Sequence, residues 1–200
     1  MNIIFDAKAR YVLEDDNVLL RPLQQNDIDN LLTFALNEPD TWKYSHANGA
    51  GKENMTNYIQ TALTARDEGK EYPFIVFDKT TNCYAGSTRF YDIQPANQML
   101  QLGYTWYGGK FRGTGLNKHC KFLLLQFAFE YLQMERVEFR ADARNERSIA
   151  AMKSIGCKVE GIIRSHAPLR DGTRRDSIIL SILKDEWNNG IKQLLKDKLT

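Results

Sequence analysis

The sequence is poor in residues that could hold a fold together covalently or through a metal ion. It has three cysteines and three histidines in 200 residues, and neither set contains a CxxC pair or the spacing of metal ligands. They are Cys83, Cys120, Cys157, His46, His119 and His166. We therefore predict no disulfide framework and no metal site, and we expect a reducing, cytoplasmic compartment.

Charge of one sign and long apolar segments are lacking too. Lys and Arg number 27 against 25 Asp and Glu, a net charge of +2, which does not predict binding to nucleic acid. No apolar run approaches the ~20 residues of a membrane span, and the first residues lack the apolar segment of a signal peptide. The remaining composition is that of a globular protein and predicts one domain over residues 1–200 with a sizeable core.

Hydrophobic patterns divide the first half of the chain into strands and helices. They predict a strand over residues 17–23, ended or placed at a sheet edge by Pro22, and a helix capped by Asn26 and Asp27 that runs to about Asn37. There follow a helix over residues 52–68 and strands over residues 73–78, over residues 83–93 and up to about Tyr107. Three successive strands with short turns predict an antiparallel meander.

The second half predicts helices packed on a sheet with one parallel pair. A helix over residues 116–132 is apolar on more than one side, and its position between strands implies a right-handed crossover to a parallel strand, Arg136–Asp142. Asn145 caps a short helix, and Asp171 with Gly172 turns a hairpin. These later elements cover residues 146–155, 157–169, 173–183 and, as a last helix, 185–198. The predicted fold class is α+β, with a bent, mixed sheet of about seven strands and helices on both faces.

A glycine-rich turn joins the strand that ends near Tyr107 to the long helix. It consists of Arg112, Gly113, Thr114, Gly115, Leu116 and Asn117. N–H groups at a helix start lack partners and glycine allows close approach, so the turn suits a phosphate or pyrophosphate, unless it is only a flexible lead into the helix. It is not a P-loop, and it is not a dinucleotide fingerprint, because Lys118 stands where the third glycine would be.

Several short motifs follow one another along nearly the whole chain. They are Gly86-Ser87-Thr88, Leu102-Gly103-Tyr104, the glycine-rich turn, Asn145-x-x-Ser148, Gly156-Cys157-x-x-Glu160-Gly161-x-x-Arg164 and Asp171-Gly172-x-x-Arg175-Asp176. In this order and spacing the sequence resembles the GNAT superfamily of acyl-CoA-dependent N-acetyltransferases. Within it the chain is most similar to the RimJ/RimL branch of ribosomal-protein N-terminal acetyltransferases.

The resemblance implies that acetyl-CoA is the co-substrate and which residues bind it. The glycine-rich turn would hold its pyrophosphate through backbone N–H groups. The strand at Tyr104, Thr105 and Trp106 would splay from its parallel neighbour and offer backbone donors to the thioester and pantetheine. Asn145 would contact the pantetheine arm, and Ser148 would protonate the leaving thiolate. Without the resemblance, Asn145 is an ordinary helix cap and Ser148 an ordinary helix residue.

The sequence departs from the superfamily at two positions with chemical roles. Met152 stands where many members carry a tyrosine acid, and it cannot donate a proton, so Ser148 or an ordered water is the better acid. No carboxylate occupies the region that holds the base in RimL-type members. His166 is the nearest titratable substitute, since a histidine with a pKa near 6.5 accepts a proton at neutral pH. A solvated strand residue or a substrate hydrogen-bond partner is the alternative for His166.

These observations predict acetyl transfer from acetyl-CoA to a primary amine by direct attack in a ternary complex. Cys120 and Cys157 lie in apolar patterns, so no acetyl-cysteine is expected. An α-amine is about a tenth neutral at pH 7 and a lysine only roughly a few parts in ten thousand, so the lack of a carboxylate base favours a protein N-terminus or small α-amine. A small-molecule acetyltransferase for a polyamine, amino acid or antibiotic and a non-catalytic acyl-CoA-binding module are the alternatives, and a homodimer is left open.

No motif identifies the acceptor. The residues that either line its cleft or merely pack the surrounding loops are Trp42, Tyr44, His46, Arg89 and Tyr91. The predicted hairpin carries Arg164, Arg170, Arg174 and Arg175. They favour an acidic acceptor if they face the cleft, and they form a solvated surface otherwise.

Overall fold

The computed structural model describes residues 5–169 and 172–199. These residues form one sheet of eight strands with helices on both faces. The strands are β1 (Leu13–Glu14), β2 (Val18–Pro22), β3 (Tyr72–Asp78), β4 (Cys83–Gln94), β5 (Met99–Tyr107), β6 (Arg136–Asp142), β7 (Lys158–Pro168) and β8 (Arg174–Leu183). The helices are α1 (Ile28–Asn37), α2 (Lys52–Asp67), α3 (Leu116–Gln126), α4 (Glu146–Ser154), α5 (Lys184–Glu186) and α6 (Lys192–Lys196).

The strands lie in the order β1-β2-β3-β4-β5-β6-β8-β7. All neighbours are antiparallel except β5 and β6, which are parallel and joined through α3. The mixed fold class is therefore confirmed, with eight strands where about seven were expected. The additional strand, β1, pairs Leu13 with Leu20; two residues are too few to produce an alternating pattern.

Two apolar cores lie on opposite faces of the sheet. Along β3, Phe74 and Val76 belong to one core and Ile75 to the other, as expected from side chains that alternate between the faces of a strand. The core on the Ile75 side is covered by α1 and α2, and the other core is covered by α3 and the C-terminal helix. The central strands of the sheet are therefore buried on both faces, whereas β7 at its edge is mostly exposed.

The start of α1 differs from the prediction. Asp27 precedes the helix, but neither it nor Asn26 caps it through a side chain. The carboxylate of Asp27 instead accepts from the Gln24 N–H at 2.8 Å and binds Arg21 at 2.6 and 2.8 Å. This aspartate therefore anchors the turn between β2 and α1.

The two longest predicted helices of the second half are less regular than expected. After α3 the chain forms a π-helical turn, Phe127–Tyr131, and another, Trp187–Ile191, separates α5 from α6. The rings of Phe129 and the fully buried Trp187, one from each turn, stack with centres 5.6 Å apart. Hydrophobic periodicity does not distinguish these wider turns from an α-helix. Within the described residues, no helix combines the length and apolarity needed to span a bilayer.

Candidate active site

A cleft of about 1230 Å³ lies where β5 and β6 separate. The two strands pair only from Met99 and Arg136 to Gln101 and Glu138. Beyond that point residues of both strands line the cleft, together with the turn before α3, the start of α4, the loop before α2 and parts of β7 and β8. The parallel pair thus splays as the resemblance implied.

A bulge in β5 lies in this cleft. Two residues, Tyr104 and Thr105, face the single residue Thr88 of β4, and Tyr104 has a φ of +49°, in a region that few residues other than glycine adopt. Because β6 has separated, Tyr104 and Thr105 lie outside the register of both neighbouring strands. Trp106, the third predicted donor, is back in register with β4. Bulges of this kind redirect backbone groups beside active sites.

The glycine-rich turn has backbone groups ready for an anion. Gly113 and Gly115 have φ values of +80° and +93°, and a Cβ on either would meet no atom within 4 Å. Among the described residues, no acceptor binds the N–H groups of Gly113, Thr114, Gly115 or Asn117. The glycines are needed for their positive φ, and the open space before unpaired N–H groups at a helix start fits a pyrophosphate.

The side chains of this turn do not all face the cleft. Asn117 lines it, whereas Leu116 is buried in the core. Thr114 donates its hydroxyl to the Phe111 carbonyl oxygen at 2.9 Å, and with Leu116 it borders a separate pocket of about 270 Å³. Thr114 and Leu116 could therefore contact a ligand in the cleft only through the backbone.

Arg112 stabilises the turn through hydrogen bonds to residues outside it. Its Nε donates to the Tyr107 carbonyl oxygen at 2.9 Å and its Nη2 to Thr41 Oγ1 at 2.6 Å. Lys118 and Arg147 line the same part of the cleft and are exposed. Together these three side chains make that part of the cleft cationic, which favours a phosphate-bearing ligand.

Asn145 and Ser148 lie together at the start of α4. Asn145 Oδ1 accepts the Ser148 N–H at 3.1 Å, so Asn145 is the helix cap that its residue type favours. Both side chains line the cleft, and neither Asn145 Nδ2 nor Ser148 Oγ binds another of the described residues. Capping and ligand binding use different atoms of Asn145 and are compatible. Met152 also lines the cleft and supplies no proton donor there.

Lys121 is a cleft residue that the sequence reasoning missed. Its side chain is 6% exposed, lines the cleft and donates to Thr105 Oγ1 at 3.0 Å. Burial lowers the pKa of Lys121 to about 8, and no carboxylate within the described chain pairs with it. One feature of the sequence could have indicated this position. Lys121 precedes Leu124 by three residues and Leu125 by four, which places it on the apolar side of the helix.

Two histidines meet in the cleft, although 120 residues separate them. His166 lies on β7 with its Nδ1 2.8 Å from Ser177 Oγ, and His46 lies in the loop before α2. Partial burial, followed by nearby positive charge that includes Arg175, lowers the pKa of both histidines. Both are therefore neutral at pH 7 and able to accept a proton.

Four of the five residues predicted for the acceptor site line the cleft, and one does not. Of the aromatic and basic residues singled out, Trp42, Tyr44, His46 and Tyr91 line the cleft and Arg89 does not. Arg89 is buried beneath the ring of Tyr104, 4.2 Å from its centre, and pairs with Glu71 at 2.6 Å. It therefore supports the floor of the site and is closed to a ligand.

The carboxylates on β6 and β7 are ion-paired. Asp142 is held by Arg144 at 2.8 and 3.0 Å, and Glu138 and Glu160 share Arg136. The hydrogen bonds from these arginines lower the pKa values of Asp142 and Glu160. A carboxylate with a lowered pKa is a poorer base.

The arginines of the hairpin differ in exposure. Arg164 and Arg174 are exposed, as a solvated surface requires. Arg175 is only 6% exposed and lines the cleft. Arg170, and the predicted turn residue Asp171, lie outside the described residues. The solvated alternative therefore fits two of these side chains and is wrong for Arg175.

Cys120 and Cys157 are packing residues. They are 0% and 6% exposed, and burial raises the pKa of each thiol to about 12. Neither forms the thiolate that a covalent intermediate needs. Over residues 5–169 and 172–199, no group of three or more His, Cys, Asp or Glu is arranged to hold a metal ion.

Most of the chain matches one known protein family. The acetyltransferase (GNAT) domain family matches residues 17–158, which is well over half of the chain. The chain therefore belongs to this family and is an N-acetyltransferase that uses acetyl-CoA as co-substrate, which confirms the predicted family.

Similar proteins span almost the whole chain. N-acetyltransferase p20 of Bacillus licheniformis, itself uncharacterised, is 24% identical over 88% of this chain and 97% of its own. A GCN5-related N-acetyltransferase from Brucella melitensis has a TM-score of 0.89 at 25% identity and covers 97% of this chain and 87% of its own. An acetyltransferase from Salmonella typhimurium, described as modifying the N-terminal serine of 50S ribosomal protein L7/L12, shares the fold with a TM-score of 0.77 at 18% identity, over 86% of this chain and 99% of its own.

Proposed function

We propose that this enzyme acetylates an α-amine, at a protein N-terminus or on a small molecule, by direct attack on acetyl-CoA in a ternary complex. The observation that carries the proposal is one cleft that includes the glycine-rich turn, the bulge at Tyr104 and the histidines His46 and His166. Acetyl-CoA supplies an activated thioester. Cys120 and Cys157 are buried thiols, and Cys83 does not line the cleft, so the proposal has both substrates bound in the cleft together.

Backbone groups bind the acetyl donor in this proposal. The unpaired N–H groups of residues 113–115 and 117 bind the pyrophosphate, and Arg112 keeps the turn in shape. The freed backbone of Tyr104 and Thr105 serves the thioester and pantetheine. Asn145 keeps Nδ2 available for an amide carbonyl while its Oδ1 caps α4.

The departing thiolate needs a proton, and we assign this proton to Ser148. Its Oγ lines the cleft without another partner among the described residues, whereas Met152 has no proton to give. Lys121, held by Thr105 at 3.0 Å, contributes a positive charge in the same cleft. A fixed cation in a site shielded from water stabilises negative charge that develops during the reaction.

His166 is the proposed base. With its Nδ1 proton donated to Ser177 Oγ, at 2.8 Å, its Nε2 keeps a lone pair. Its lowered pKa keeps it neutral at pH 7 but also makes it a weak base. A weak base suffices for an α-amine, which is about a tenth neutral at pH 7, and falls short for a lysine. The N-terminal serine described for the Salmonella enzyme is an acceptor of this class.

The test compares two forms of one peptide that contains a single lysine. One form has a free N-terminus and a blocked lysine, and the other has the reverse. We expect the first to be acetylated on the order of 10²-fold faster near pH 7, following the neutral fractions of the two amines. Mass spectrometry locates the acetyl group, and release of the CoA thiol gives the rate. Equal rates, or faster reaction at lysine, would contradict the proposal.

A further inference from the structure

Arg175 is a buried cation that has no counter-ion among the described residues. It lies near the start of β8, is 6% exposed and has a buried Nε without a hydrogen-bond partner. No carboxylate, carbonyl or hydroxyl oxygen of the described residues accepts from its guanidinium. Buried charges are normally paired, because an unpaired one loses its hydration without compensation. Since Arg175 lines the cleft, a molecule bound there is the partner that its burial calls for.

The groups around Arg175 do not fill this role. They are Tyr91 of β4, Tyr104 of β5, Arg140 and Asp142 of β6, His166 of β7 and His46 of the loop before α2. Asp142 is the one carboxylate among these neighbours, and both of its oxygens bind Arg144. The other neighbours are phenols, imidazoles and a second guanidinium. The local field is therefore positive and favours an anion.

Arg89 shows what a structural arginine requires in this sheet. It is as deeply buried, at 3% exposure, but its Nη1 pairs with Glu71 at 2.6 Å. The rings of Tyr58 and Tyr104 also lie within 4.7 and 4.2 Å of its guanidinium carbon. Arg175 has no such ion pair among the described residues and makes no such ring contact, so a purely structural role leaves its charge unexplained.

We propose that Arg175 binds a carboxylate of the acceptor, so that the preferred acceptor is an α-amine with a carboxylate close to it. This inference rests on the proposed acetylation of α-amines. A guanidinium matches a carboxylate through two parallel hydrogen bonds. A free amino acid carries such a group on its α-carbon, and an N-terminal aspartate or glutamate carries one on its side chain. The phosphates of the donor have their own site at the glycine-rich turn.

Two matched pairs of acceptors test this inference. The first pair is a C-terminally amidated peptide that begins with aspartate and the same peptide that begins with asparagine. The second pair is free alanine and alaninamide, with kcat/KM expressed per neutral amine, because the carboxylate of alanine raises the pKa of its ammonium. We expect the native enzyme to prefer the charged member of at least one pair by about 10- to 100-fold in kcat/KM, the range for a hydrogen bond to a charged group. The pair that responds identifies the source of the carboxylate.

Variants then assign this preference to Arg175. In Arg175→Gln the kcat/KM ratio within the responding pair should fall to near one, and in Arg175→Lys part of it should remain. Arg164→Gln, an equal charge change at an exposed site on β7, should keep the native ratio. Because each ratio is measured on one preparation, partial misfolding of a variant does not alter it.

Two results would overturn the inference while the α-amine proposal stands. One is acetylation of α-amines without preference for a carboxylate in either pair. The other is a preference that survives in Arg175→Gln. Acetylation of lysine with no reaction at any α-amine would overturn both proposals together.

Discussion

Replacing Lys121 by methionine is expected to stabilise the protein at neutral pH. Lys121 is 6% exposed, no carboxylate among the described residues pairs with its ammonium, and its hydrogen bond goes to Thr105. Burial lowers the pKa of Lys121 from 10.5 to about 8. At pH 7 the folded protein therefore holds a proton less well than the unfolded chain does. Methionine has a similar length without the charge, and it removes this penalty.

Proton linkage gives the size and sign of the effect. Lowering the pKa from 10.5 to about 8 corresponds to about 3 kcal/mol at 1.36 kcal/mol per pH unit. The unfolded chain binds the proton more tightly, so stability rises with pH between about 8 and 10.5, and the full penalty is present below pH 8. By pH 9.5 it falls to about 1 kcal/mol. Losing the bond to Thr105 costs about 1 kcal/mol. We expect Lys121→Met to stabilise by about 2 kcal/mol at pH 7 and by nearly nothing at pH 9.5.

Urea denaturation of both proteins near pH 7 and pH 9.5 measures this difference in the free energy of unfolding. Ionisation of tyrosines and cysteines affects both proteins alike and cancels in the comparison. Lys118→Met is the matched control, because Lys118 is exposed on the same helix. It should change the stability by less than about 0.5 kcal/mol at either pH.

Equal destabilisation by Lys121→Met at both pH values would refute the reasoning. The ammonium would then be hydrated in the folded state, and Lys121 would lose its proposed role of stabilising the negative charge that develops during the reaction. The expected stabilisation should come with a lower kcat, since a charge that costs stability and serves the reaction is the usual trade-off at active sites.

Other variants test the donor and acceptor sites. Val at both Gly113 and Gly115 should abolish CoA binding in calorimetry, because branched side chains oppose a positive φ; native affinity in that protein would move the pyrophosphate site elsewhere. Ser148→Ala should lower kcat by ~10- to 100-fold with little change in the acetyl-CoA KM, whereas a raised KM alone would make Ser148 a binding residue. The rate should rise with pH through the amine's pKa near 8. In His166→Ala the further loss of activity below about pH 6.5 should disappear, and an unchanged profile would exclude His166 as the base.

Most of the fold could be predicted from the sequence because its strands and helices produce local hydrophobic patterns. The strand Arg136–Asp142 alternates cleanly and was predicted with its observed bounds, and α4 ends at Ser154, one residue before its predicted end. The misses have physical reasons. Two residues of β1 cannot show a period. The side chain of Asp27 binds Arg21 and the N–H of Gln24, at the start of the 3-10 turn before α1, and does not cap α1 itself.

The candidate site was readable only where one segment carries it. The glycine-rich turn and the cap at Asn145 are contiguous motifs, and the structure brings them to one cleft. Lys121 was missed, and His46 was not expected beside His166, because both facts depend on burial and on neighbours far away in the chain. The sequence does not distinguish Arg175 from the other arginines of the hairpin, because its burial is visible only in the structure. Sequence supplies residue types, but the environment of a charge is a property of the folded chain.

The buried cations distinguish support from function. Three such side chains are at most 6% exposed among the described residues: Arg89, Lys121 and Arg175. Arg89 has a carboxylate partner and does not line the cleft, whereas Lys121 and Arg175 have no carboxylate partner there and both line it. Packing alone does not explain why the two buried cations that lack a carboxylate partner among the described residues, Lys121 and Arg175, lie in the same cleft. Substrates that bring negative charge, a thioester sulfur that becomes a thiolate and an acceptor carboxylate, would stabilise both cations when they bind. Burying these charges destabilises the free enzyme, and the same charges then strengthen acceptor binding and stabilise the transition state in the complex.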